Sequence, residues 1–477
     1  LSQGKALAIL GTMSSVGKSL LTAIVGYHLS QKGLKVSPFK AQNMSLNAFA
    51  TSEGEMAFAQ AFQAWACGQR PSVRMNPLLL KPMGHMISEL IFMGKSKGLL
   101  PTKTFKSYKS TYKEKIFALF QELLKENDWV VVEGAGGLAE LNLLPDDFVN
   151  YELTKHFQIP FILVGDIDRG GIFAQIWGTY ELVSSLKALS LGFVVNKFRG
   201  DPSLFEEGIS ILEQKTSKPC LGLITYFSET LFEEDSASFR FKRASSSGEG
   251  LRIAVVYYPH ISNYLDFDPL NLQEGVEVLL TDHPQDLEVA HAIILPGSKN
   301  TRASLAYLHE KGLAAKIRSL VGKKVILGLC GGFQLLGQTI VDQGVEFRGE
   351  VAGLGLLPHT TYFYPVKRAC SQELYLDWPF YQGKVSGFEI RYGRSFLADK
   401  EVFALCRNMV FGTYLHGLFY QDDFRHAFLS FLARHFGLPA PLYTHFSHCL
   451  AHKLASICAQ SSVAQFLGKL DRVLNLD

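Results

Sequence analysis

At 477 residues the chain exceeds one typical domain, and its length argues for about two to four. An apolar fraction of 47% with 19% charged residues fits a globular protein with substantial cores and excludes a disordered or low-complexity chain. The net charge of +3, spread without blocks of like sign, gives no footprint for nucleic acid. No apolar stretch is long enough to span a bilayer, so no membrane partner is expected. Seven cysteines at irregular spacing do not form a disulfide framework, and the reducing cytoplasm is the compartment they imply.

The first apolar run, Ala6 to Leu10, is short and ends in a glycine turn, so it reads as a buried strand rather than a secretory signal. The segment Gly11-Thr12-Met13-Ser14-Ser15-Val16-Gly17-Lys18-Ser19 follows and leads into an amphipathic helix. A glycine turn at a helix start presents backbone N–H groups to phosphate oxygens. Gly11, Thr12, Ser14 and Gly17 are therefore expected to line the phosphates of ATP. Lys18 is expected to reach the β- and γ-phosphates, and the Ser19 hydroxyl to ligate Mg²⁺. The next runs, Lys35–Phe39, Trp129–Val132, Phe161–Val164 and Gly192–Val195, complete a predicted parallel sheet covered by helices. Lys40 ends one strand, where it can neutralise a carboxylate or a transferring phosphate. Glu133 ends another, where it can complete a Mg²⁺ shell or simply cap a glycine loop.

The pattern breaks between Phe232 and Gly250, a serine-rich polar stretch read as a linker between domains at 1–231 and 251–477. A second strand series follows: Ile253–Tyr257, Val276–Leu280, Ala292–Leu295, Lys324–Leu327 and Met409–Tyr414. Gly328-Leu329-Cys330-Gly331-Gly332 sits between the fourth of these and a predicted helix over Phe333–Ile340. Small residues flanking a cysteine at a strand–helix elbow permit a strained backbone, and the helix start favours thiolate. Cys330 is thus the expected nucleophile, as against an inert buried cysteine. His416, just past the last strand, is the expected base. The backbone N–H groups of Gly297 and Gly331 are candidates for an oxyanion hole. Near the C-terminus His445, His448, Cys449 and His452 share one helix face. Four ligands from one helix close a tetrahedron poorly, so this cluster is read as packing in the second domain.

The variant phosphate loop resembles that of dethiobiotin synthetases and cobyrinate amidases. MinD-type switch ATPases share that fold but carry a further lysine where this chain has Met13. The Cys330 elbow with His416 is similar to class I glutamine amidotransferases, most of which have glutamate two residues after the histidine. Here that position is Leu418. Longer strings, among them Pro38-Phe39-Lys40-Ala41-Gln42-Asn43-Met44, Asp166-Ile167-Asp168-Arg169-Gly170-Gly171, Asn196-Lys197-Phe198-Arg199-Gly200, Pro259-His260-Ile261-Ser262-Asn263 and Leu295-Pro296-Gly297-Ser298-Lys299-Asn300-Thr301, resemble cobyric acid synthases along nearly the whole chain.

The resemblance implies an α/β fold in two parts: a dethiobiotin synthetase-like P-loop domain and a class I amidotransferase domain. It implies ATP, Mg²⁺, glutamine and a corrinoid as ligands, with amidation of adenosylcobyrinic acid a,c-diamide at its b, d, e and g side chains. The related a,c-diamide synthases share this architecture. By the same resemblance Lys40, Gln42, Asn43 and Asn47 lie near the nucleotide and the corrin carboxylate. Asp147, Asn150 and Asp166 help hold an acyl phosphate or metal, with Asp147 a catalytic candidate. Asn196 and Lys197 contact adenine, and Glu55 is a further Mg²⁺ candidate as against a solvated helix face. A Cys–His dyad is implied, with nothing assigned to orient His416. Arg391 stands where the family usually has histidine; permanently protonated, it is given no proton-transfer role.

Overall fold

Val130, Val131 and Val132 are all fully buried, as strands must be when helices cover both faces of a parallel sheet. The computed structural model describes residues 4–84, 87–101, 105–144, 147–226 and 250–476. The expected linker falls mainly on 227–249, outside the described residues. Contacts group the chain into two units.

The first unit carries a parallel sheet in the order Cys220–Thr225, Ser190–Phe198, Phe161–Asp166, Lys5–Gly11, Trp129–Glu133, Val36–Phe39. Its register pairs Gly11 with Val164, Asp166 with Asn196, Ile9 with Glu133 and Phe39 with Val132. The carboxyl ends of these strands therefore bring the phosphate loop, Lys40, Glu133, Asp166 and Asn196 to one rim, where open α/β sheets hold ligands. A smaller sheet of Gln42–Met44, Leu78–Gly84, Ile87–Phe92 and Lys95–Pro101, absent from the sequence expectation, accompanies it.

The second unit holds a sheet in the order Val276–Thr281, Leu251–Val256, Ala292–Leu295, Val325–Leu329, Val410–Thr413, Ala404–Arg407, parallel except for the last pair. Leu295 lies opposite Gly328 and Leu329 opposite Thr413, so the chain leaves this sheet at Gly297, Cys330 and His416 on a shared end. Beside it a long antiparallel hairpin, Thr360–Trp378 and Tyr381–Leu397, forms the centre of a mixed sheet. The expected helix Phe333–Ile340 is shorter. It spans Gly331–Leu336, and Thr339–Gln343 is instead a strand of that mixed sheet, paired with Arg348–Ala352 and Thr360–Tyr362.

The units do not follow the chain end to end. Leu46–Glu55 belongs to the second, and Ala451–Asp477 to the first rather than to a domain running from 251 to 477. Apolar burial explains the latter: Val463, Phe466, Leu467 and Leu470 of the helix Ser461–Leu474 are buried, and Phe466 meets the backbone of Gly222. Thr225 Oγ1 bonds Ser462 Oγ at 3.1 Å, Lys469 donates to the Cys220 carbonyl at 2.9 Å, and His28 pairs with Asp471 at 2.9 Å. Within the histidine cluster, His445 Nδ1 is held by Asp422 at 2.7 Å and Cys449 Sγ donates to Thr444 Oγ1 at 3.3 Å. No helix among the described residues is long and apolar enough to cross a membrane.

Candidate active sites

Gly17 has φ of 97°, a left-handed conformation at the helix start, and a side chain there would overlap the Asn196 amide. That amide donates to the Val16 carbonyl at 2.8 Å. Lys197 donates to Ser15 O at 2.6 Å and to Asp166 Oδ2 at 3.0 Å. Asn196, Lys197 and Asp166 thus brace the loop from the neighbouring strands. Thr12 Oγ1 donates to Gln175 Oε1 at 3.0 Å, a further brace that the sequence did not mark. Lys18 Nζ donates to Met13 O at 3.0 Å and Gly136 O at 2.9 Å, so its ammonium lies across the loop it serves. The expected loop residues Gly11, Ser14 and Gly17 remain contiguous with it between strand and helix.

Glu133 is the hub of this rim. Its Oε1 accepts from Ser19 Oγ at 2.8 Å and Lys40 Nζ at 2.7 Å; its Oε2 accepts from Gln60 at 3.0 Å and Gln63 at 2.5 Å. Burial would raise this carboxyl, but the Lys40 charge and the hydrogen bonds from Lys40, Gln63 and Ser19 hold it below its ordinary value. Gln60 in turn accepts from Asn43 at 2.9 Å, tying the expected substrate segment to the same carboxylate. Sequence reasoning passed over Gln60 and Gln63. The available signal was two glutamines three residues apart on the otherwise apolar helix Phe58–Ala66.

The hydroxyl and carboxylate oxygens of Ser19 and Glu133 are hard donors of the kind Mg²⁺ prefers, so this donor pair fits the metal. Glu55, the further Mg²⁺ candidate, is a separate case. It is buried in the second unit and paired with Lys367 at 3.2 Å, so its charge is met by an ammonium. Asn47 lies in the same short segment, Leu46–Glu55, that groups with the second unit. Asp147 accepts from the backbone of Val149 and Asn150 and from the Asn150 side chain, at 3.1, 2.9 and 2.9 Å. Asn150 bridges both backbone groups of Ala135. The pair is a clasp on the loop after Glu133, with the Asp147 carboxylate accepting from its own turn.

In the second unit Cys330 has φ of 50° and ψ of −105°, a conformation costing about 1–3 kcal/mol and held by its surroundings. Its N–H donates to Thr413 O at 2.8 Å, and its Sγ approaches the Ile390 carbonyl at 3.6 Å. A side chain at Gly331 would overlap the backbone nitrogen of Ser298, so the elbow packs directly on the Gly297 loop. A Cβ at Gly297 would stand 3.2 Å from His416 Cε1, which places that glycine beside the imidazole. The Gly297 loop thus sets Cys330 and His416 at one strand end, where each acts electrostatically on the other. His416 is buried, stacks on Phe388 with ring centroids 5.2 Å apart, and exchanges backbone hydrogen bonds with it.

Asp266 was not found from sequence. Its Oδ2 lies 2.6 Å from His416 Nδ1, and its Oδ1 accepts the Gly417 N–H at 2.9 Å. Burial alone would lower the imidazole's pKa, but Asp266 and Cys330 outweigh it and raise it to about 10. The only sequence hint was its place three residues beyond the quoted Pro259–Asn263 string.

Arg391 is wholly structural in its contacts. It bonds Glu389 at 2.7 Å, Glu401 at 3.1 Å and Gly393 O at 2.7 Å, with its guanidinium 3.8 Å from the Tyr414 ring centroid. Arg391→Met is expected to destabilise the protein by about 3 kcal/mol, because it leaves the buried Glu389 with only the longer Arg368 contact at 3.4 Å. A lowered urea midpoint with unchanged slope is the measurement.

Comparison with known proteins follows the same two-part division. Residues 7–236 match the model of the CobQ/CobB/MinD/ParA nucleotide binding domain, and residues 252–424 that of the CobB/CobQ-like glutamine amidotransferase domain. A probable cobyric acid synthase of Thermococcus onnurineus is 42% identical over 91% of this chain and 92% of its own length. A cobyric acid synthase of Synechococcus sp. is 40% identical over 96% of this chain and 97% of its own. With a nucleotide-binding half, an amidotransferase half and likeness along nearly its whole length, the chain belongs to the cobyric acid synthase family of glutamine-dependent ligases.

Proposed function

We propose that the chain converts adenosylcobyrinic acid a,c-diamide to adenosylcobyric acid, replacing the b, d, e and g carboxylates by amides at the expense of glutamine and ATP. The observation that carries the reading is the strained Cys330 elbow packed on the Gly297 loop that lies beside His416, in a chain whose other half sets a phosphate loop on Glu133.

In the glutaminase the Cys330 thiolate attacks the side-chain carbonyl of glutamine. Gly297 and Gly331 face the oxygen as charge develops on it. His416, as imidazolium, gives its proton to the departing nitrogen, leaving a glutamyl thioester and ammonia. Water, deprotonated by the now neutral His416, cleaves the thioester and releases glutamate.

In the synthetase a corrin carboxylate oxygen attacks the γ-phosphorus of ATP, and ADP leaves. Ammonia then attacks the acyl carbon, loses a proton, and phosphate leaves. Lys18 and the loop N–H groups hold the phosphates, while Ser19 and Glu133 would hold Mg²⁺, which neutralises charge on the transferring group. Lys40, drawn to Glu133 at 2.7 Å, is placed to meet the incoming carboxylate or γ-phosphate. Asn43, joined to Glu133 through Gln60, and its chain neighbour Gln42 would serve the same incoming carboxylate.

Incubation with glutamine, ATP, magnesium and the a,c-diamide should yield adenosylcobyric acid by mass spectrometry, with glutamate and ADP formed in step. Amidation of cobyrinic acid only at a and c would replace this reading with that of the a,c-diamide synthases.

A further inference from the structure

The position two residues after His416 holds Leu418, a buried aliphatic side chain that cannot accept a hydrogen bond from imidazole. A carboxylate nonetheless reaches the ring from 150 positions earlier in the chain. Asp266 sits on the short turn Tyr264–Phe267, where its own N–H donates to Asn263 O at 3.1 Å. Both of its oxygens are committed at the catalytic strand end, one to His416 Nδ1 at 2.6 Å and the other to the Gly417 N–H at 2.9 Å. An ionised carboxylate only accepts, so Nδ1 must carry hydrogen and Nε2 is left for the Cys330 sulfur.

We propose that Asp266 is the positioning residue of the glutaminase, supplying in space the carboxylate that Leu418 does not supply in sequence. The inference rests on the Cys330–His416 reading and deepens it from a dyad to a triad assembled across the sheet. The grip on Gly417 makes the arrangement stiff. The same carboxylate that fixes the ring through Nδ1 is itself anchored to the backbone that immediately follows the ring, so it cannot swing away from Nδ1 without breaking the Gly417 bond.

The carboxylate also sets the charge of the imidazole. The groups acting on His416 are Asp266 and Cys330; Asp266 also bears on Asp268 and Tyr420 behind it, and Cys330 on Tyr258. Burial, more than the neighbouring Asp266 charge, holds the Asp268 carboxyl well above the usual carboxyl range. An imidazole raised to about 10 by this surround is protonated when ammonia departs and remains so through mildly alkaline pH.

The test is Asp266→Asn, with Asp266→Glu beside it. Asp266→Asn should lower glutamine-dependent kcat/KM by about 10²–10⁴-fold, as loss of the tautomer-fixing carboxylate does in hydrolytic triads. Synthesis from ammonium salts should be unchanged. The alkaline limb of the glutaminase profile should move to lower pH, and Asp266→Glu should restore part of the rate. In the wild-type protein labelled at histidine nitrogen, a low-field Nδ1–H proton resonance should be present, and His416→Asn should remove it; this reading needs no folded Asp266 variant. The proposal is overturned if Asp266→Asn keeps its glutaminase rate and alkaline limb, if both nitrogen sources fail equally, or if the resonance is absent. Should Cys330→Ser itself spare glutamine-dependent synthesis, the glutaminase reading fails first, independently of Asp266.

Discussion

Cys330→Ser is expected to abolish synthesis from glutamine and to leave synthesis from ammonium salts intact. Serine keeps nearly the shape of cysteine, so the strained elbow, the Thr413 hydrogen bond and the packing of Gly331 on Ser298 should persist. What is lost is the thiolate. A hydroxyl is far less acidic than a thiol, and His416, already protonated through Asp266, is a poor base toward it. The glutamine-dependent rate should fall by about 10³-fold or more, in line with removal of a nucleophile from a triad. Ammonium bypasses the thioester altogether. Product mass after parallel incubations with the two nitrogen donors gives the answer, and an equal loss with both would refute the division of labour between the halves.

Lys18→Met should do the opposite in one respect, because it should abolish synthesis from either donor. Lys18 is buried and donates to Met13 O and Gly136 O, so its ammonium is confined to the phosphate loop. Methionine preserves the apolar stem and removes the charge. The transferring phosphoryl group then lacks one preorganised cation in a site shielded from water, a loss worth about 10²–10³-fold in rate. Nucleotide affinity, followed by calorimetry, should weaken with it. Synthesis from ammonium at the wild-type rate would remove the lysine from the phosphoryl step.

The parts of this molecule that were legible in sequence are those in which one residue's neighbours suffice to define it. Runs such as Trp129–Val132 and Ala292–Leu295 are buried on both faces and therefore read as strands. Each of the ten strands expected in the two main sheets has an observed counterpart, with ends shifted by a few residues. The phosphate loop and the cysteine elbow are likewise local: each owes its shape to glycines within a few positions. The hairpin Thr360–Leu397 was missed because its long strands are half exposed and broken by Pro365 and by charged residues, which blurs the alternation expected of a strand. Asp266, Gln60 and Gln63 were missed for a different reason. Their meaning lies in partners that the fold brings from 150, 73 and 70 positions away, and no spacing rule reaches so far. The ion pair of Glu55 was hidden by the same logic, since Lys367 is invisible from its own neighbourhood.

The exchange of segments recorded in the two units has a consequence for how such a protein can be divided. A cut within 227–249 would give two polypeptides, each deprived of something it needs. The carboxyl-terminal piece would lose the short stretch that places Phe49 edge-on to Phe388 at 5.2 Å and donates from Ala48 to Asn263. The amino-terminal piece would bare the surface that Phe466 and its helix now shield. Each unit therefore holds a segment from beyond the seam that the sequence advertises, and a cut there should leave both pieces less stable than the whole chain.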